Sequence, residues 1–301
     1  DKLRRGEGVS IGLSMTLRTN LKRLSEFWRM FRRQKKGLLG LAIILPFILA
    51  GAFAPILSPY NPWKTVGEAF KPPDGRNLLG TDDVGRDILS QIIWGTRISL
   101  LIGFLAAFIA SIVGIGVGLI AGYFGGYTDT LLMGLTDTIL ILPGLVLMII
   151  FAAYLGGSIW NIIMVIAMVT WITTARTVRS QVLSLKESVF IEALRAVGLR
   201  DIRIIFFHIL PNVIPLVFAN MVLGIVAAIL SEAGLSFLGL GDPTHQSWGM
   251  ILYYAQTFGG FVRGAWWWIL PPGVCITLVG ASFIFIGQAL DEVLSPRLRQ
   301  R

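Results

Sequence analysis

Six long apolar stretches leave this chain few ways to fold. They cover residues 38–57, 97–122, 130–155, 159–175, 213–240 and 267–290. A helix needs about 20 apolar residues to cross roughly 30 Å of hydrocarbon, and these runs are of that order. The chain is 54% hydrophobic and only 14% charged, where a soluble protein has about a quarter of its residues charged. In a bilayer the backbone must satisfy its own hydrogen bonds, so such runs are helices. The sequence therefore predicts an all-α polytopic membrane protein with six transmembrane helices. Gly156-Gly157-Ser158 joins the third and fourth spans as a tight hairpin. The fifth is expected to start after Pro211, with Pro215 a potential break near its start.

Charge placement orients the spans. The formal net charge is +9, and twenty of the 26 Lys and Arg residues fall in three segments. Eleven precede the first span, six lie in the loop after the fourth, and three lie in the tail at Arg297, Arg299 and Arg301. Six crossings put those segments on one side, which the positive-inside rule makes the cytoplasm. Opposite them, Lys64, Lys71, Arg76, Arg86 and Arg263 are largely offset by acidic residues. A long basic stretch precedes the first apolar run and no small-residue cleavage site follows it, so that run is expected to be retained. The expected organisation is a cytoplasmic segment 1–37, a first helix 38–57, and an extracytoplasmic loop 58–96. A five-helix core 97–290 follows, with a cytoplasmic loop 176–212 inside it, and then a tail 291–301. Both termini are expected on the cytoplasmic side.

Leu17, Leu21, Leu24, Trp28 and Phe31 recur at spacings of four, three, four and three, with basic residues between them. This predicts an amphipathic helix lying against lipid headgroups. Nucleic acid is the rival partner for a basic arm, but it would explain neither the stripe nor the adjoining span. On the other side, Pro59, Pro62, Pro72 and Pro73 predict an irregular loop, and Asp82/Asp83 a helix cap leading into the second span. Trp266-Trp267-Trp268 fits an interfacial aromatic belt.

Ala106, Ala110, Gly114, Gly118, Gly122 and Gly126 form a small-residue ridge that permits close helix packing, within this bundle or against another subunit. Asp129 is expected at the cytoplasmic rim. Asp137 and Glu232, the latter followed by Ser236, are costly at membrane depth. They either line a translocation pathway or are satisfied by neighbouring polar groups. The lone Cys275 reads as a small buried hydrophobe. There is no P-loop, no G-x-S-x-G and no H-E-x-x-H, and no Cys/His spacing that suggests a metal site. Catalysis by this chain is unsupported.

The loop between the fourth and fifth spans contains Ser188, Glu192-Ala193-Leu194, Gly198 and His208-Ile209-Leu210-Pro211-Asn212. Its spacing predicts a short helix stopped by Gly198, with Phe190, Leu194 and Val197 on one apolar face. A stubby helix of this kind suits docking into a groove on another protein.

Glu192-Ala193, Gly198 and His208-x-Leu210-Pro211 resemble the EAA loop of bacterial ABC importer permeases, with Leu194 in place of the usual third Ala. Leu79-Gly80-Thr81-Asp82-Asp83-x-Gly85-Arg86-Asp87, and Leu235–Gly241 followed by Ser247-Trp248-Gly249, resemble the C-type permease of oligopeptide and dipeptide importers. The likeness covers nearly the whole chain, though the outer loop between Gly241 and Trp248 is short for the family. It implies the type I importer permease fold, with Phe190, Glu192, Ala193, Leu194, Val197, Gly198, His208 and Pro211 as ATPase-coupling positions. It also implies a second homologous permease, two P-loop ATPase subunits that bind ATP and Mg, and an extracytoplasmic substrate-binding protein. The chain itself would bind no cofactor. Peptides are the implied cargo and oligosaccharides the alternative. An ion-coupled transporter or channel using Asp137 and Glu232 is the reading from a different class.

Overall fold

A computed structural model describes residue 26 and residues 28–294. The elements run α1 (Lys35–Ala52), α2 (Ala54–Leu57), α3 (Ile88–Phe124), α4 (Gly126–Ile141), α5 (Gly144–Leu155), α6 (Ile159–Lys186), α7 (Val189–Ala196), α8 (Asp201–Ile204), α9 (Leu210–Leu235), α10 (Trp248–Thr257) and α11 (Trp266–Leu294). π-Helical turns at Ile205–Ile209 and Ser236–Leu240 flank α9. Among the described residues five helical units are long and apolar enough to cross a membrane, and the bent pair α4–α5 makes a sixth crossing when taken as one. The chain is an all-α polytopic membrane protein. One end of the bundle carries α7 and the other carries α10.

Three helix boundaries depart from the sequence reading. The third span is not one helix, because α4 and α5 meet at an angle of 89°. Pro143 lacks an N–H and crowds the residue before it, so Leu142 is extended (φ −83°, ψ 138°) and the helix must restart. The second span begins at Ile88 rather than at an Asp82/Asp83 cap. Gly85 at φ 80° and the Thr81–Asp87 bridge hold that stretch in a tight loop, and Asp87 caps the helix by accepting from the Ser90 N–H. The fifth span starts at Asp201, before Pro211. A π turn leads into α9, with the Leu210 N–H donating to the Ile205 carbonyl, so Pro211 falls in a first turn where its missing N–H costs little. α9 then runs on through Pro215, as membrane helices packed by neighbours can.

The small-residue ridge packs inside this chain as far as Gly122; Gly126 falls past the end of α3, at the start of α4, with open space around it. A Cβ on Gly114 would lie 2.6 Å from the Thr174 Cβ, one on Gly118 2.5 Å from the Ala175 carbonyl, and one on Gly122 2.8 Å from the Val182 Cβ. α3 and α6 therefore touch backbone to backbone over three turns, a distance only glycine allows. Ile102, Ala106, Ile162, Ile163, Ile166 and Leu235 continue this core toward the α10 end.

Two aromatic expectations change. Trp268 is fully buried against Phe70, and the Trp267 indole N–H donates to the Thr81 carbonyl (3.3 Å), so of the three tryptophans only Trp266 is exposed as a belt residue would be. The other two clamp the 58–87 loop onto the bundle. In the predicted amphipathic stripe, Leu17, Leu21 and Leu24 lie outside the described residues, as does the basic tail. Phe31 is buried between α1 and α11, beside Gly37 and Ala289, rather than turned to lipid.

Candidate functional site

α7 is a knob whose two ends are fixed by local chemistry. Ser188 precedes it, its hydroxyl donating to the Leu185 carbonyl (2.6 Å). At the other end the Gly198 N–H donates to the Arg195 carbonyl (2.9 Å) and the Leu199 N–H to the Leu194 carbonyl (3.1 Å). That paired closure requires a left-handed residue, and Gly198 supplies it at φ 81°.

The faces of α7 differ from the predicted assignment. Leu194 does not share the outer face with Phe190 and Val197. It turns inward with Ile191 and packs against the buried cluster that includes Val178, Val182, Ile204, Ile205 and Ile209. The reason is angular: in an eight-residue helix, Ile191 and Leu194 (i, i+3) share the inward side while Phe190, Ala193 and Val197 share the outward one. Phe190 (59% exposed) and Val197 (80%) are open, as are Glu192 and Ala193. The exposed apolar surface continues through Ile202 and Phe207. His208 lies half-buried with its ring 5.7 Å from that of Phe190, and Pro211 is exposed.

Tyr123, at the end of α3, was not singled out by sequence. It is buried, and its hydroxyl donates to the Asp201 carboxylate. The Arg195 guanidinium stands 5.0 Å above its ring and the Lys186 ammonium 5.9 Å away. One residue thus ties α6, α7 and α8 to the longest helix of the bundle. Its only sequence signal was a phenol at the end of an apolar run.

Of the three residues expected to line a pathway, Glu232 and Ser236 meet, while Asp137 lies apart from them. Asp137 lies on α4 and pairs with Arg176, both half exposed. Asp129 is forked by Arg179, through Nε and a terminal nitrogen. Glu232 is 1% exposed at the α10 end, where it accepts from the Ser236 hydroxyl (2.7 Å) and the Ser99 hydroxyl (3.3 Å). Ser99 also accepts from the Trp248 N–H (3.1 Å), so this buried carboxyl helps join α3, α9 and α10. The separation follows from topology: α4 and α9 approach through α5 and α6 rather than directly. A cavity of about 470 Å³ opens instead between α3, α5, α6 and α9, and neither acid lines it. Ser111, Thr170, Thr173, Thr174, Thr177 and Asn220 supply its polar lining, which the sequence reading missed.

The α10 end is rich in internally satisfied carboxylates. Asp87 accepts from the Asn77 amide and the Ser90 hydroxyl, and Asp82 from the Gln91 amide and two backbone N–H groups. Lys71 and the Asn77 N–H hold the Asp74 carboxyl down to about 2. Burial pushes Asp83 above the usual carboxylate value, and the neighbouring Asp82 adds to that. Burial also opposes ionisation of Asp242, but hydrogen bonds from Thr244, His245 and the Ile159 N–H outweigh it and leave this carboxyl below its ordinary value. Among the described residues no group of three or more His, Cys, Asp or Glu is placed to hold a metal ion.

These features define a polytopic membrane protein with an exposed, anchored helical knob at one end. Residues 114–300 match the family of binding-protein-dependent transport system inner membrane components, and residues 22–73 match the N-terminal transmembrane domain of oligopeptide transport permease C. The chain belongs to the former family and is a multi-pass inner membrane permease. It is 39% identical over 276 residues to a dipeptide transport system permease protein DppC of Alkalihalophilus pseudofirmus, covering 91% of this chain and 90% of the relative. Identity to the protein of that name from Escherichia coli K12 is 38% over 285 residues, covering 92% and 94%. A putative peptide transport system permease of Brucella suis is 36% identical over 273 residues, covering 90% and 91%.

Proposed function

We propose that this permease pairs with a second, homologous one to form the pathway of an ATP-driven importer for peptides. The peptides arrive on an external binding protein, and two partner ATPases bind the ATP and Mg. Both termini and α7 then face the cytoplasm, in keeping with the skewed basic charge. The peptide assignment draws on the names of the relatives.

The observation that carries this reading is α7 itself. Its outward side leaves Phe190 and Val197 exposed with Glu192 and Ala193 beside them, while its inward side is rooted in the cluster that joins α3, α6 and the π turn before α9. Exposed apolar groups on a rigid mount are what a docking groove requires. A push on α7 would then move those helix ends as one body. In this scheme Phe190, Glu192, Ala193, Val197, His208 and Pro211 form the contact, Leu194 anchors it from behind, and Gly198 closes the helix. The ion-coupled alternative lacks support: Asp137 is engaged by Arg176, and Glu232 is enclosed by serine hydroxyls.

Site-directed cross-linking tests the docking. With Val197→Cys in a Cys275→Ala background, a short thiol cross-linker applied to native membranes should capture a P-loop ATPase. Capture of no nucleotide-binding subunit from any outward position of α7 would contradict the proposal.

A further inference from the structure

The outward faces of α3 and α6 suit different solvents. On α3, Leu101, Phe104, Phe108 and Ile112 are large, apolar and exposed, as a lipid-facing stripe should be. On α6, Thr170, Thr173, Thr177, Ser180 and Ser184 recur at spacings of three, four, three and four, one continuous face leading from mid-span toward α7. Thr173, Ser180 and Ser184 on this line are exposed, and the other two are partly so.

The upper half of this line lies in the cavity of about 470 Å³ already described, whose lining includes no charged side chain. Thr170, Thr173 and Thr177 each donate to a carbonyl of their own helix, at 2.8, 3.1 and 2.9 Å, and Ser111 does the same from α3. Their donors are therefore spent, and lone pairs remain to accept from whatever enters. Thr174 is more than nine-tenths buried and lines the cavity, yet among the described residues its hydroxyl has no hydrogen-bond partner. Its Cβ and methyl group pack toward Gly114, which leaves the hydroxyl as the group not absorbed by the α3–α6 contact. Asn220, across the cavity on α9, likewise has an amide without a protein partner among those residues. Unmet polar groups at this depth are costly unless water or a polar ligand reaches them.

We propose that this hydroxyl face of α6, with Thr174, Ser111 and Asn220, is this subunit's wall of the translocation route. It takes an extended peptide by accepting its backbone N–H groups, and its neutral lining leaves side-chain charge unread. The identity of the cargo rests on the importer reading above; the water-facing character of the wall does not.

Two measurements on the assembled importer in proteoliposomes separate these parts. In a Cys275→Ala background, Thr173→Cys, Thr177→Cys and Ser180→Cys should react with a membrane-impermeant charged thiol reagent at least about tenfold faster than Phe104→Cys and Phe108→Cys, because the thiolate forms in water and not in lipid. Equal, slow labelling at all five positions would overturn the proposal and assign the face to lipid or to a helix of the partner permease. The triple variant Thr170→Val/Thr173→Val/Thr177→Val, which keeps side-chain shape, should lower uptake by about tenfold or more through the loss of several hydrogen bonds. The loss should be equal for peptides carrying Lys, Glu or Leu. Unchanged uptake, or a loss confined to one charge class, would overturn backbone recognition. Fast labelling along the face in the cysteine variants, with no peptide uptake by the wild-type complex, would overturn the importer reading, while the labelling result would stand.

Discussion

The two ends of the bundle are held together by opposite means. At the α10 end, Asp82, Asp87 and Glu232 are all nearly inaccessible, and each carboxylate finds its partners within the chain. Trp267 and Trp268 close that end by clamping the 58–87 loop. At the α7 end the interior is mostly aliphatic, built from Ile191, Ile204, Ile205 and Ile209 around the one phenol of Tyr123, while apolar side chains such as Phe190, Val197 and Phe207 remain in the open. Buried hydrogen-bonded carboxylates fix geometry and are expensive to disturb. Exposed apolar groups contribute little to this chain's own fold and gain their value when something covers them. The contrast separates a cap whose buried carboxylates are satisfied within the chain from a surface that the proposed partner ATPase would complete.

Substitutions can break this comparison. The largest effect on stability is expected from Asp87→Ala, which removes the α3 cap and orphans the buried Asn77 amide. Losing a cap costs about 1 kcal/mol and an unsatisfied buried partner about as much again, so thermal unfolding in detergent should report a loss of about 2–3 kcal/mol. A change under about 0.5 kcal/mol would show that the cap is not held by its carboxylates. At the other end, Val197→Ser should leave the unfolding transition within about 0.5 kcal/mol of wild type, as expected for a surface site. It should nevertheless weaken retention of the partner ATPase during purification. A large drop in the stability of the isolated chain would mean that Val197 serves the fold and not a partner.

How much of this was legible in the sequence depended on what fixed each feature. Span number, the α7 knob and its Gly198 stop follow from apolar runs and turn chemistry, which act locally. The break at Pro143 was also local, yet the apolar run across it masked the proline's effect on Leu142. The helical start at Asp201 was hidden because Pro211 reads as a helix beginning, and only the preceding π turn lets helix exist on both sides of it. Trp267 and Trp268 read as a membrane belt because amphipathic rings suit an interface; their burial depends on the loop around Thr81, 186 residues before Trp267, folding over them. Glu232 and Asp137 drew notice as charges in apolar runs; Ser236, four residues on, was a visible partner for Glu232, but Ser99 and Arg176, which complete the two sites, are distant in sequence. The threonine line on α6 was visible at helical spacing and was passed over because hydroxyls carry no charge to flag them.

The central claim is that α7, closed by Gly198, passes the work of partner ATPases to the spans. ATP-dependent peptide uptake by the reconstituted importer carrying Gly198→Asp tests it most directly. A left-handed backbone at φ 81° disfavours any side chain with a Cβ, while the space around Gly198 is open, so the change should distort the knob and leave the bundle intact. The account predicts that the variant inserts in the membrane and assembles as wild type does but loses uptake. Uptake at the wild-type rate would contradict it.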